Sequence, residues 1–314
     1  MIDVTPASPN ISGPHERSAP LQLTRQALPR EFDVALYRSL YRDLTRFSDE
    51  ELRDHYERFG RVEGRRSHTL AGRDDFAALL SPGLEVLEIG PLLTPMVSGP
   101  HVRYFELFDK PQLIALANAR GISPHRIPDI HYVSATADLS IVNDRFDAVL
   151  TSHVVEHQPD FLGHLASIRR LLRPGGLYFA LIPDKRYCFD HFMPPSSVAD
   201  FLEAHLAQRT RHTLRSQLNY AAFRTHNDVV RHWASDHGAQ APAASEIATT
   251  IAQHVRAEAS GEYQDVHAWY FEPELFGPAI NLLYELGYSE FRPLRLYPTL
   301  LNCNEFWVVL QARE

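Results

Sequence analysis

Seven residues, Leu84-Glu-Val-Leu-Glu-Ile-Gly90, and the turn Pro91-Leu-Leu-Thr-Pro95 behind them constrain the fold of this chain more than any other stretch. Leu84, Val86, Leu87 and Ile89 make an apolar run of strand-forming residues that stops at a glycine and a proline. That pattern predicts a buried parallel strand entering a tight turn. Glu88 lies just before the glycine. A carboxylate at a strand end followed by a glycine turn suits nucleotide-type cofactors: the glycine admits close backbone approach, and the carboxylate accepts hydrogen bonds from the ligand. Alone, Glu-x-Gly is a weak signal, because many strands end at glycine.

The rest of residues 71–190 supplies the context. A short helix over 74–80 precedes the first strand, and His101–Glu106 reads as the second, followed by a helix around Pro111–Arg120. Ile130–Val133 and Phe146–Thr151 read as the third and fourth strands. A helix over Asp160–Arg173, with Phe161, Leu165, Ile168, Leu171 and Leu172 on one face, leads through Pro174-Gly-Gly to a fifth strand at Leu177–Ile182. Strands alternating with helices predict a doubly wound, mostly parallel α/β sheet. Residues 191–267 lose the strand pattern and read as a helical insertion over the carboxyl edge of that sheet, with helices near 197–220 and 244–258. Residues 268–314 return with a helix, Pro273–Leu286, and two strands, Phe291–Leu296 and Glu305–Gln311.

Two N-terminal segments differ from this core. Residues 1–28 carry prolines among Ser, Asn and Gly, without enough apolar residues to offset the cost of ordering, and are expected to be a disordered tail. Residues 29–70 read as a small helical module: Phe32, Leu36, Tyr37, Leu40, Tyr41 and Leu44 recur at helical spacing, and Ser48-Asp-Glu-Glu51 looks like a capping box opening a second helix that Gly60 ends. Its aromatic stripe is the kind that forms a core, so packing on the next domain is the plainer reading and docking of a partner the functional one.

The sequence Glu88-Ile-Gly-Pro91, the strand ending at His153, and the Leu171–Pro183 helix-turn-strand together resemble the class I S-adenosylmethionine (SAM)-dependent methyltransferases. Through Glu88-Ile-Gly-Pro91, His153-Val-Val-Glu-His157 and Ile182-Pro-Asp-Lys-Arg186 the chain is similar to bacterial methyltransferases associated with surface-glycan synthesis. The helical module resembles one found beside bacterial glycosyltransferase domains. These resemblances imply a Rossmann-like sheet closed by an antiparallel C-terminal strand, SAM as cofactor, O-methylation of a carbohydrate or glycan precursor, and glycosyltransferases as partners. Glu88, Gly90 and Pro91 would then lie under the methionine end of SAM, with His153 beside it. Glu106 would hold the ribose, with Asp109 as the nearby competitor, and Asp138 would sit near the adenine unless it only caps a helix. Two of the glycines usual in this loop are missing, since Leu92 and Thr94 stand in their places. A chain that kept the fold but lost the cofactor would serve as a non-catalytic adaptor in glycan assembly. Gly-x-Gly-x-x-Gly is absent, which disfavours a nicotinamide cofactor.

Methyl transfer from a sulfonium needs an aligned nucleophile, and a neutral hydroxyl also needs a base. His157 is the first candidate and Asp184 the second, as base or as the group that orients it. Lys185 and Arg186 could hold an anionic acceptor group or simply face solvent, and His267 could line the acceptor pocket. His153-x-x-Glu156-His157 also matches an inverted zinc-peptidase pattern. That chemistry needs both histidines one turn apart on a continuous helix. Here a strand runs into His153 and Pro159 interrupts, so no metal is expected.

The net charge of −8 argues against a general nucleic-acid binder. Two cysteines provide no disulfide framework, and no apolar run is long enough for a transmembrane or secretory segment. A cytoplasmic location is expected.

Overall fold

The computed structural model describes residues 28–80, 83–239 and 243–313. The segment expected to be a disordered tail therefore lies, apart from Leu28, outside the described residues. The strand at the heart of the sequence pattern is β1 (Val86–Ile89), buried at every position. It pairs in parallel with β2 (Val102–Glu106) on one side and with β4 (Phe146–Ser152) on the other, while β3 (Tyr132–Val133) extends the β2 edge. β5 (Leu172–Pro183) continues in parallel beyond β4. β7 (Glu305–Ala312) then runs antiparallel between β5 and β6 (Phe291–Tyr297). The resulting order, β3-β2-β1-β4-β5-β7-β6, is a seven-stranded Rossmann-like sheet with one antiparallel strand. The strand order reverses direction at β1 and β4, so ligands belong at the carboxyl ends of those strands.

Alternate side chains of the strands feed two cores. Leu87, Ile89, Phe105, Val149 and Ile182 face one side. Val86, Tyr104, Leu150, Phe179 and Leu181 face the other, with Phe76 stacked on Trp307 at 5.7 Å. β5 is buried without a break from Gly176 to Pro183, as expected of a strand covered on both faces. The Pro-Gly-Gly turn read from the sequence survives within it as a bulge: Phe146 pairs with Leu172, but Ala148 pairs with Leu177, and Gly175 takes a left-handed φ of 71°.

The helices follow in chain order: α1 (Val34–Leu40), α2 (Asp49–His55), α3 (Arg73–Ala77), α4 (Lys110–Ala119), α5 (Phe161–Leu171), α6 (Val198–Leu206), α7 (Leu214–Phe223), α8 (Val229–Trp233), α9 (Ala244–Ser260) and α10 (Pro273–Glu285). α1 and α2 make a small core of Tyr37, Leu44, Leu52 and Tyr56. Ser48 and Glu51 form the capping box at the start of α2. The helix then loosens into a π turn at Tyr56–Gly60, where any larger residue at Gly60 would press on the Tyr37 hydroxyl. The module is tied to the sheet edge: Tyr297 donates its hydroxyl to the Pro29 carbonyl, and the Leu301 amide donates to Gly64. α5 buries Phe161, Leu165 and Ile168 on one face, opens on an Asp160 cap, and carries Arg169 and Arg170 at its negative end. The helix expected over 197–220 is two, α6 and α7.

Candidate active site

At the carboxyl end of β1 the chain turns sharply. Gly90 has a φ of 71°, and a Cβ there would come within 3.0 Å of Val154. Its amide donates to the Phe105 carbonyl of β2. Two buried carboxylates fix the following loop. Glu88 accepts from the Met96 and Val97 amides at 2.8 and 3.2 Å, and burial pushes its pKa up to about 7. Glu106, at the end of β2, accepts from the Leu92 amide at 2.9 Å and from Leu107 at 2.6 Å. Burial raises its pKa as well, against those two hydrogen bonds. Leu92, in place of a usual glycine, is held at a φ of 45°, a strained conformation for a branched residue. Asp109 caps α4 in a capping box with Gln112. Asp138 is exposed and caps a single 3₁₀ turn through the Ser140 amide.

At the end of β4 the geometry changes character. His153 takes a φ of 54°, which breaks the strand, and Val155–His157 form one 3₁₀ turn. The two histidines of the His-x-x-Glu-His pattern thus do not share a helix, yet both converge on Glu156. That carboxylate is fully buried, and neither oxygen has a hydrogen-bond partner. Its Oε1 lies 3.7 Å from His153 Nδ1, 3.9 Å from His157 Nε2 and 4.0 Å from His267 Nε2. The other nitrogen of each ring meets a carboxylate: Glu305 at 2.8 Å from His153, Asp265 at 3.0 Å from His157, and Asp190 at 2.6 Å from His267. Burial lowers the pKa of His153 and of His157, but the bonds to Glu305 and Asp265 and the charge of Glu156 outweigh it, so both are raised. Asp265 would be raised by burial, but His157 and His212 hold it well below the usual carboxylate range.

His267 reaches the cluster because the segment leaving the insertion runs along the 3₁₀ turn. The amides of Ala268 and Trp269 donate to the Glu156 carbonyl, and the Trp269 indole donates to Gln158. Asp265 also borders a cavity of about 610 Å³ that Gln217, Tyr220 and Arg224 of the α7 region share with Glu246 and Gln253 of α9.

The expected charged residues after β5 are engaged elsewhere. Asp184 is buried and accepts from Arg186 and from the Thr299 hydroxyl; the carboxylate that meets His157 is Asp265. Lys185 donates to the His191 carbonyl and faces Glu272, and Arg186 pairs with Glu274 as well as Asp184. Both cations are tied into the protein rather than solvated. The sequence reading singled out His153, His157 and His267 but missed Glu156, Asp190, Asp265 and Glu305 as their partners. Only Glu156, inside the motif, and Asp265, two residues before His267, carried a local hint.

Residues 100–180 match a family model described as a methyltransferase domain. Two curated relatives are ubiquinone biosynthesis O-methyltransferases from strains of Cereibacter sphaeroides. One is 51% identical over 49 residues, covering 15% of this chain and 20% of that protein. The other is 34% identical over 108 residues, covering 33% and 43%. The chain thus spans less than half the length of the curated relatives it matches. Among solved structures, a Burkholderia thailandensis 1,6-didemethyltoxoflavin-N1-methyltransferase is 15% identical over 90% of this chain and 91% of that one, with a TM-score of 0.38.

Proposed function

We propose that this chain is a SAM-dependent methyltransferase that methylates an oxygen of a small-molecule or glycan-precursor acceptor. The observation that carries the reading is the pair of buried carboxylates at the ends of adjacent strands, Glu88 and Glu106, which brace the Gly90 turn at the point where the sheet order reverses. The methyltransferase model matched over residues 100–180 supports it. On this reading SAM lies across the ends of β1 and β2, its methionine end over Gly90 and Pro91 beside His153, and its ribose at Glu106. Asp138, on the rim, faces the adenine.

The transfer itself is an in-line displacement. A lone pair of the acceptor oxygen forms the new C–O bond, the C–S bond breaks, and its electron pair stays on sulfur, giving S-adenosylhomocysteine. The hydroxyl proton must leave, and the His157–Glu156–His267 cluster is the group that handles it. Lys185 and Arg186 act in this picture by fixing the β5 end beside Asp184 rather than by gripping an anionic acceptor. A carbohydrate or glycan acceptor, with glycosyltransferases as partners, follows from the sequence resemblance. A ubiquinone-precursor acceptor is the second reading, favoured by the names of the curated relatives. Transfer of labelled methyl from SAM to panels of hydroxylated sugars, sugar nucleotides and quinone precursors tests both. Labelled ether product from one panel identifies the acceptor class. SAM binding without transfer to either panel would remove both acceptor readings, and absence of SAM binding would remove the enzyme reading.

A further inference from the structure

Glu156 poses a problem that methyl transfer does not solve. Burying a carboxylate without any hydrogen bond is costly, and protonating it leaves a hydroxyl with nothing to donate to. The three imidazole nitrogens around it, at 3.7 to 4.0 Å, are too far for hydrogen bonds. Those of His157 and His267, together with a Glu156 oxygen, are placed as ligands of a shared ion would be. We propose that Glu156, His157 and His267 bind a divalent transition-metal ion.

Three observations carry this. First, one ligand atom from each of the three residues lies within 4.8 Å of the other two. Ligands of a tetrahedral zinc ion stand roughly 3.4 Å apart, so the Glu156 contacts at 3.9 and 4.0 Å must close by about half an ångström, and the two histidine nitrogens by at most about 1.4 Å. Second, the remote nitrogens of His157 and His267 rest on Asp265 and Asp190, the carboxylate–histidine arrangement that fixes tautomer and orientation in metal-bound histidines. Third, the rings of His157 and His267 are perpendicular, with centroids 4.6 Å apart, so they are free of the parallel stacking that keeps two ring nitrogens from reaching one ion. A set of two histidines and one carboxylate suits zinc or ferrous iron and leaves positions open, whereas magnesium and calcium prefer oxygen donors. His153 Nδ1 approaches the same carboxylate but lies outside the mutually close set.

The expectation of no metal rested on the absence of a continuous helix. That absence is real, but the third ligand comes from the segment leaving the insertion, and one 3₁₀ turn suffices to present the other two. A second trio, His191, His232 and His237, is the weaker candidate: His191 and His237 stack nearly parallel at 3.6 Å, and such rings cannot both aim at one ion. The existence of the Glu156 site does not depend on the methyl-transfer reading. Its role does: an open position would take the acceptor hydroxyl and lower its pKa, so that with His157 and His267 held on the ion the cluster handles the proton through the metal, releasing it to water, rather than as a base.

The full chain, stripped with a chelator, should be titrated calorimetrically with zinc chloride and assayed for bound metal, with cobalt(II) absorption as a report on the donor set. One equivalent of zinc is expected, with affinity falling by about 100-fold or more in Glu156→Gln and in His267→Ala and unchanged in His237→Ala. Circular dichroism checks the fold of each variant. A folded wild-type protein that takes up no stoichiometric metal overturns the proposal, whatever the variants do. Uptake lost in His237→Ala but kept in Glu156→Gln overturns it too. S-adenosylhomocysteine binding, measured separately, keeps a failure of the methyl-transfer reading distinct from a failure of the metal site.

Discussion

Glu106 and Asp109 stand three residues apart and have separate tasks. Glu106 is buried and braces Leu92, whereas Asp109 caps α4. Glu106→Ala is expected to weaken SAM binding by about 1.5–3 kcal/mol through lost charge-assisted hydrogen bonds. Asp109→Ala should leave that affinity unchanged and lower stability by about 1 kcal/mol, the usual worth of a helix cap. Calorimetry and urea unfolding measure the two effects, and an exchange of phenotypes would move the ribose contact to Asp109. Glu88 allows a pH test. Its folded pKa, about 7, lies above the ordinary 4.5, so the folded state holds the extra proton. Its contribution to stability is therefore complete below pH 4.5 and is lost as pH rises through 7, by about 3 kcal/mol in all. In Glu88→Gln this loss should be missing from urea unfolding measured at pH 5 and pH 8. An unchanged difference between wild type and variant at the two pH values would show that Glu88 is ionised throughout. The places of Glu88, Gly90 and Glu106 at strand ends were legible because that signal is local, an apolar run closed by a carboxylate or a glycine. The partners of His157 and His267 were not, because Asp265 and Asp190 meet them only through the packing of the insertion.

Among the elements, the strands of the sheet were read closely because apolar runs punctuated by Gly and Pro define them. The π turn of Tyr56–Gly60 and the 3₁₀ turn of Val155–His157 were not, since both are set by tertiary packing rather than periodicity. α5 shows how a helix read correctly from its apolar face can still hide a polar group. His164 lies on that buried face near Tyr178, its Nε2 has no hydrogen-bond partner, and burial holds its pKa down to about 4. The group is neutral in the folded protein and charges more readily when unfolded. Its contribution is complete above pH 6.5 and is lost as pH falls towards 4. His164→Leu should therefore lose less stability than wild type between pH 7 and pH 4.5, by about 2–3 kcal/mol in urea unfolding. Parallel losses in the two proteins would mean that His164 is not the acid-sensitive group of α5.

At the scale of the whole molecule, one sheet brings two clusters to the same edge. The braced Gly90 loop lies at the ends of β1 and β2, and the histidine–carboxylate cluster lies at the end of β4 under the returning segment 265–271. The fold class was legible because alternating strands and helices admit few arrangements. Residues 191–267 were legible only as a loss of strand pattern, and contacts that join them to the end of β5, such as Trp233 stacked on Tyr187 at 3.8 Å, come from tertiary packing. Among the described residues no helix is long and apolar enough to cross a membrane. The central claim, that the braced loop holds a SAM-type cofactor, is tested most directly by calorimetric titration of the full chain with S-adenosylhomocysteine. Saturable binding in the micromolar range is expected, clearly weakened in Glu106→Ala. No binding at millimolar ligand by a folded protein would contradict it.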